Sequence, residues 1–176
     1  MQILAQCGPQ VLPFHEARTK EYSCNIAGDI QYVDMRLILD TAVMVAAIRS
    51  DAGASRRLLM AALERRLTLL VSVPPMIEYQ AVMTRSEHLE VSGLSVEDVN
   101  ALLDAVAAVA EPVRLLFLWR PAVRDPDDDM VLEAAVNGQA DAVVTFNLRD
   151  FGKAAERFGI AVVPPGEALK RLEART

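Results

Sequence analysis

Residues 36–48 read RLILDTAVMVAAI, and this stretch decides how the rest of the chain is read. Arg36 to Leu39 form a short apolar run, too brief for a helix and suited to a strand buried on both faces. The run ends on a carboxylate, Asp40, and Thr41 to Ile48 continue as an apolar helix. Strand, acid and helix make the first half of a strand-helix-strand unit, and in open parallel sheets ligands bind where the strands reach their carboxyl ends. Asp40 therefore stands where chemistry is done, although an acid in that position also serves as a simple helix N-cap.

The alternation repeats downstream. Leu58, Leu59, Ala62 and Leu63 give a helix within 56–66 its apolar face, with Arg56, Arg57, Arg65 and Arg66 on the wetter side. Leu69 to Val73 read as the second strand. Pro74 and Pro75 then open a helix that carries Glu78 among Ile77, Val82 and Met83, where an acid is a candidate for partial burial. Residues 85–93 read as a polar connection holding a surface histidine, His88, and Ser95-Val-Glu-Asp98 as a capping box for the helix 99–109. Val113 to Trp119 read as a third strand, Asp141 to Thr145 as a fourth and Ile160 to Val163 as the last. Helices are expected over 152–158 and from Pro165. The pattern predicts an α/β protein, a three-layer α/β/α arrangement around a central parallel sheet of about five strands.

The most acidic segment precedes the fourth strand, where residues 124–129 read RDPDDD. Carboxylates so closely spaced repel one another, and a fold tolerates them best at a helix N-terminus or around a cation. Asp127 suits the N-cap. Asp128, one turn before Leu132, is expected to point from the helix tip toward the strand ends, with Asp125 and Asp129 able to share that edge. Val131, Leu132 and Ala135 hold the helix to the core, and Asn137 with Gly138 should end it. Four junctions thus deliver acid or amide oxygen to one edge: Asp40, Glu78, Asp128, and Asn147 with Asp150. An all-oxygen pocket suits Mg²⁺ or Mn²⁺, whose binding turns the repulsion among the acids into attraction.

Composition narrows the alternatives. With 176 residues the chain makes one domain, and with 52% hydrophobic but 5% aromatic residues its core should be aliphatic. It has no apolar run of the roughly 18 residues that would span a membrane, and no basic start followed by an apolar signal segment, so a cytoplasmic location is expected. Both cysteines, Cys7 and Cys24, lie before residue 35, and His15 is far from His88, which speaks against structural zinc. A net charge of −6 argues against a protein that grips nucleic acid through a basic surface. It does not argue against a nuclease that presents a bound cation to phosphate. Residues 1–34 lack any sustained period, so they are read as an N-terminal extension, non-native or loosely attached, with Met35 as the biological start of a domain spanning 35–176.

Taken in order, these motifs resemble the PIN domain family. The resemblance rests on Leu-Asp-Thr at 39–41, Glu78 within Pro-Met-Ile-Glu-Tyr, Arg-Asp-Pro-Asp-Asp-Asp at 124–129 and Val-Thr-Phe-Asn-Leu-Arg-Asp-Phe at 144–151. It covers residues 35 to about 170 and is nearest to toxins related to the VapC type. It implies a metal-dependent ribonuclease, the toxin of a toxin-antitoxin pair, with RNA as substrate, a small antitoxin protein as partner and a homodimer as assembly. It implies further that Asp40, Glu78, Asp128 and Asp150 hold Mg²⁺ or Mn²⁺ and carry the catalysis, in-line attack of activated water on a phosphodiester. Thr41, Asp125, Asp129, Thr145 and Asn147 would support them or contact substrate.

The chain departs from the family pattern twice. Ala42 stands where Asp-Thr-Asn is usual, and the first polar position of the last motif is Asn147, which is why Asp150 is taken as the fourth carboxylate. A PIN domain that binds RNA or protein without cleaving is the alternative to which Ala42 points. A phosphotransfer fold, either a receiver or a haloacid-dehalogenase-like phosphatase, is a further one. The latter needs a second Asp two residues after Asp40, where this chain has Ala42.

Overall fold

The structure is a computed structural model that describes residues 35–118 and 126–175, with side chains in the helix at 126–137 described from Asp128 onward. The expectations for residues 1–34, for Trp119, for the Asp127 cap and for Asp125 lie outside the described residues. Along the chain the elements are β1 (Arg36–Leu39), α1 (Thr41–Arg49), α2 (Ala54–Leu63), β2 (Thr68–Val71), α3 (Val73–Met83), α4 (Ser86–Ser92) and α5 (Val96–Val109). After them come β3 (Glu111–Pro112), α6 (Pro126–Asn137), β4 (Ala142–Val144), α7 (Leu148–Glu156), β5 (Ala161–Val163) and α8 (Pro165–Glu173).

The five strands are parallel and lie in the order β3-β2-β1-β4-β5. Their side chains alternate between two cores, as the pleat requires. Leu37 and Leu39 of β1, Leu69 and Val71 of β2, and Ala142 and Val144 of β4 face the core shared with α1, α2, α3, α5 and α8. Ile38, Leu70 and Val143 face the opposite core, built with Val131, Leu132, Ala134 and Ala135 of α6 and Phe151 of α7. Both faces of each central strand are therefore apolar, and the result is the expected three-layer α/β/α arrangement. From β1 the chain winds outward to β2 and β3 on one side and later to β4 and β5 on the other. The winding reverses between β1 and β4, the place where such sheets open a crevice at their carboxyl edge.

Several details differ from the sequence expectations. The apolar run after Pro112 is not a strand: β3 is only Glu111–Pro112, and residues 113–118 have no regular structure. Asn137, at the end of α6, takes over the backbone groups that a sheet would have paired. Its Oδ1 accepts from the amides of Leu116 at 2.9 Å and Phe117 at 3.1 Å, and its Nδ2 donates to the Phe117 carbonyl at 2.9 Å and to Glu133 O at 2.8 Å. Leu116, Phe117 and Leu118 are left exposed. The short edge strand is instead tied to the centre by Arg36, whose guanidinium meets both oxygens of Glu111 at 2.8 and 2.7 Å and holds that carboxyl below its ordinary pKa.

The polar connection at 85–93 contains a helix, α4, closed by Gly93 in the left-handed region (φ 70°) with its amide on Leu89 O at 2.8 Å. His88 within it is mostly buried and lies 3.6 Å from Glu87 rather than standing alone on the surface. The capping box forms as expected, with Asp98 N donating to Ser95 Oγ at 3.1 Å and Ser95 N donating to Asp98 Oδ2 at 2.9 Å. The helix after β4 begins at Leu148 rather than Gly152, which brings Asp150 into its first turn. Past α6 the left-handed residue is Gln139 (φ 52°), not Gly138. Gly138 is required for another reason, since a Cβ there would lie 2.8 Å from Val113 Cγ2 and 2.9 Å from the Ala134 carbonyl. No helix among the described residues is long and apolar enough to cross a membrane.

Asn137→Ala should destabilise the protein by on the order of 1 kcal/mol, the lost hydrogen bonds being partly offset by alanine's better helix propensity. It should also speed amide hydrogen exchange at Leu116 and Phe117. Unchanged exchange at those two amides would show that Asn137 does not hold the segment.

Candidate functional site

Asp40 is fixed from three directions. Its amide donates to Val144 O at 2.9 Å, continuing the pairing of β1 with β4, and its carbonyl accepts from Val43 N at 2.9 Å and Met44 N at 3.2 Å, starting α1. The residue is 8% exposed, and its Oδ2 accepts from Thr145 Oγ1 at 2.6 Å. Its side chain makes no cap hydrogen bond to the start of α1. Burial raises the pKa of Asp40. The Thr145 hydroxyl and the nearby amides of Thr41 and Ala42 pull it back only in part.

A relay of hydrogen bonds connects Asp40 to the last motif. The Thr145 hydroxyl is fully buried and also accepts from Asn147 N at 2.9 Å, while Asn147 Nδ2 donates to Asp150 Oδ2 at 2.5 Å. Four of the expected site residues, Asp40, Thr145, Asn147 and Asp150, are thus joined through contacts. Glu78 lies on α3, next to Tyr79 in the chain. The buried Tyr79 hydroxyl donates to the Leu39 carbonyl, and its pKa is pushed far up by burial first and then by the negative charges of Asp40 and Glu78. Both acids therefore act on one hydroxyl at the end of β1.

The third acidic segment arrives on α6, which lies against β1, β2 and β4. Asp128 is partly exposed in the described structure, whereas its neighbour Asp129 is buried, as is Glu133 one turn further on. Asp129 is the more inward of the two candidates at that helix tip. Among the described residues no three acidic, histidine or cysteine side chains stand together closely enough to hold a metal ion.

The donor chemistry nevertheless fits a hard cation. The acids present only oxygen, and Asp40 is a carboxyl whose charge the fold penalises. Thr41 Oγ1 is buried with no hydrogen-bond partner among the described residues, a group that a ligand oxygen would satisfy. Two residues not singled out by their sequence pattern also bear on this edge: Tyr79, bonded to the Leu39 carbonyl, and Ser72 at the head of α3, whose buried hydroxyl has no partner among the described residues.

This arrangement defines a parallel α/β domain with a buried carboxylate at the switch point of its sheet. A PIN domain family profile matches residues 36–149, most of the chain, and the chain belongs to the PIN domain family. Among solved structures, it is similar to a chain in the crystal structure of VapBC2 from Rickettsia felis bound to a DNA fragment from their promoter. The identity is 16% and the TM-score 0.49, over 73% of this chain and 97% of that one. No curated protein matches it significantly.

The raised pKa of Asp40 sets a pH dependence. Its folded-state value lies above the ordinary 3.8, so its contribution to stability is full below the unfolded value and is lost as pH rises through the folded one. In metal-free protein, the melting temperature of the wild type should fall relative to that of Asp40→Asn as pH rises from about 4 to neutrality. A difference that stays constant across that range would contradict the burial of the charge.

Proposed function

We propose that this chain is a divalent-metal-dependent endoribonuclease and the toxin of a toxin-antitoxin pair. One observation carries the reading: in a PIN-family chain, a carboxylate is buried at the switch point of the sheet and gripped on one oxygen by Thr145. In this reading Asp40, Glu78, Asp128 and Asp150 hold Mg²⁺ or Mn²⁺, with Asp125 and Asp129 near them. When bound, the ion supplies charge stabilisation at phosphate and lowers the pKa of water.

The chain's own groups do the positioning. Thr145 orients Asp40, Asn147 fixes both Thr145 and Asp150 through its amide groups, and Tyr79 secures the end of β1 through Leu39. Because burial and two neighbouring acids keep the Tyr79 hydroxyl protonated, it serves as a strut and not as a base. Phe146, exposed next to Asn147, offers a ring on which a base of single-stranded RNA can stack. The likeness of the four motifs to VapC-type toxins supports a small antitoxin as partner and a homodimer as assembly. It also supports a cytoplasmic site of action.

Ala42 favours a second reading, a PIN domain that binds RNA or a protein without cutting. It presents a methyl group where the family usually has an amide able to hydrogen-bond within the site. A cleavage assay on defined single-stranded RNAs separates the two. The first reading expects cleavage with Mn²⁺ or Mg²⁺ that falls to the buffer background with chelator and in Asp40→Asn and Asp128→Asn. Binding without cleavage in the wild type would instead establish the second.

Glu78→Gln should weaken metal binding yet leave the melting temperature of the metal-free protein unchanged or raised, since it removes a repelling charge. A strongly destabilised metal-free variant would argue that Glu78 is there for structure.

A further inference from the structure

Asp40 has a neighbour on its other side that the scheme above does not use. The β1–β2 register pairs Arg36 with Thr68 and Leu37 with Leu69, and the β1–β4 register pairs Leu37 with Ala142 and Leu39 with Val144. Continued in step past the strand ends, these registers put Ser72 beside Asp40 on one side and Thr145 beside it on the other. Asp40 (φ −67°, ψ 153°) and Ser72 (φ −106°, ψ 168°) keep extended backbones, so the alternation of faces persists at both. Ser72, Asp40 and Thr145 each lie two residues beyond Leu70, Ile38 and Val143, which all face the core built on α6. The three polar side chains therefore share the face on which α6 brings in its acids. The contact of Thr145 with Asp40 shows what a hydroxyl in this row does.

Ser72 is also the N-cap residue of α3, where a serine ordinarily accepts a hydrogen bond from the second or third amide of the helix. Here those positions are Pro74 and Pro75, which have no N–H to give. The side chain makes no cap hydrogen bond, and Ser72 is 3% exposed with its Oγ lacking any partner among the described residues. A buried hydroxyl with nothing to bond works against folding, and an alanine would pack there without that penalty. The two prolines keep the hydroxyl uncommitted.

We propose that Ser72 is a positioning residue of the acid site, its hydroxyl held free by Pro74 and Pro75 to hydrogen-bond an oxygen of the hydrated divalent cation that Asp40 binds. This rests on the metal-dependent reading given above. Titration of the full chain with Mn²⁺ alone, in the absence of RNA, tests it for wild type, Ser72→Ala and Asp40→Asn. Ser72→Ala should bind Mn²⁺ about 10- to 100-fold more weakly, as loss of an outer-sphere partner does. Its metal-free melting temperature should be unchanged or higher, because no described residue bonds the hydroxyl.

Equal Mn²⁺ affinity in Ser72→Ala and wild type would overturn the proposal and leave the functional reading standing. A lowered melting temperature of metal-free Ser72→Ala would overturn it too, by showing an ordinary structural role. Failure of the wild type to bind Mn²⁺, or binding that Asp40→Asn does not weaken, would remove the functional reading and this proposal with it.

Discussion

The hydrogen bond from Thr145 Oγ1 to Asp40 Oδ2 joins the ends of two neighbouring strands at the point where the winding of the sheet reverses. Most of the site depends on it. Asp40 is buried because β1 is central and apolar on both faces, and a carboxylate so placed pays for desolvation that one hydroxyl offsets only in part. Thr145 is in turn held by Asn147, and Asn147 by Asp150, so the contacts of Asp40 continue into the first turn of α7. A cation at this edge would relieve the remainder.

The sheet was legible from local pattern because its central strands are short, apolar and each followed by a helix with its own start signal. Arg36–Leu39, the strand near Leu69, and Ala142–Val144 come out within a residue or two at each end. What failed was the segment after Pro112, whose apolar character resembles a strand but whose backbone is bonded by a side chain 20 residues away, Asn137. No periodicity within 113–119 can report that. The helix α4 was hidden for the opposite reason. Its residues are mostly polar, and it is completed by a left-handed glycine and a partly buried Leu89 rather than by an apolar face.

The candidate site was legible to the extent that chemistry follows topology. Acids at the ends of β1 and in α3 and α7 could be assigned to one edge because parallel sheets send every strand end the same way. The choice within α6 was less determined. Residues 131–135 are all buried, so helical spacing gives that helix no single inward direction at its tip, and the deeper carboxylate is Asp129 rather than Asp128. Ser72 carried no signal of its own. Its meaning comes from register with Asp40 and from two prolines that deny it a cap, and the register exists only once the strands are paired.

The central claim is that this edge of the sheet is a divalent-cation site organised by Asp40. Anomalous diffraction from crystals soaked in Mn²⁺ tests it most directly. The expected result is a manganese peak beside the Asp40 carboxylate, bounded by Glu78 and the first turn of α6, and absent from Asp40→Asn crystals treated identically. A well-ordered site without a peak, or manganese bound only at surface acids away from Asp40, would contradict it.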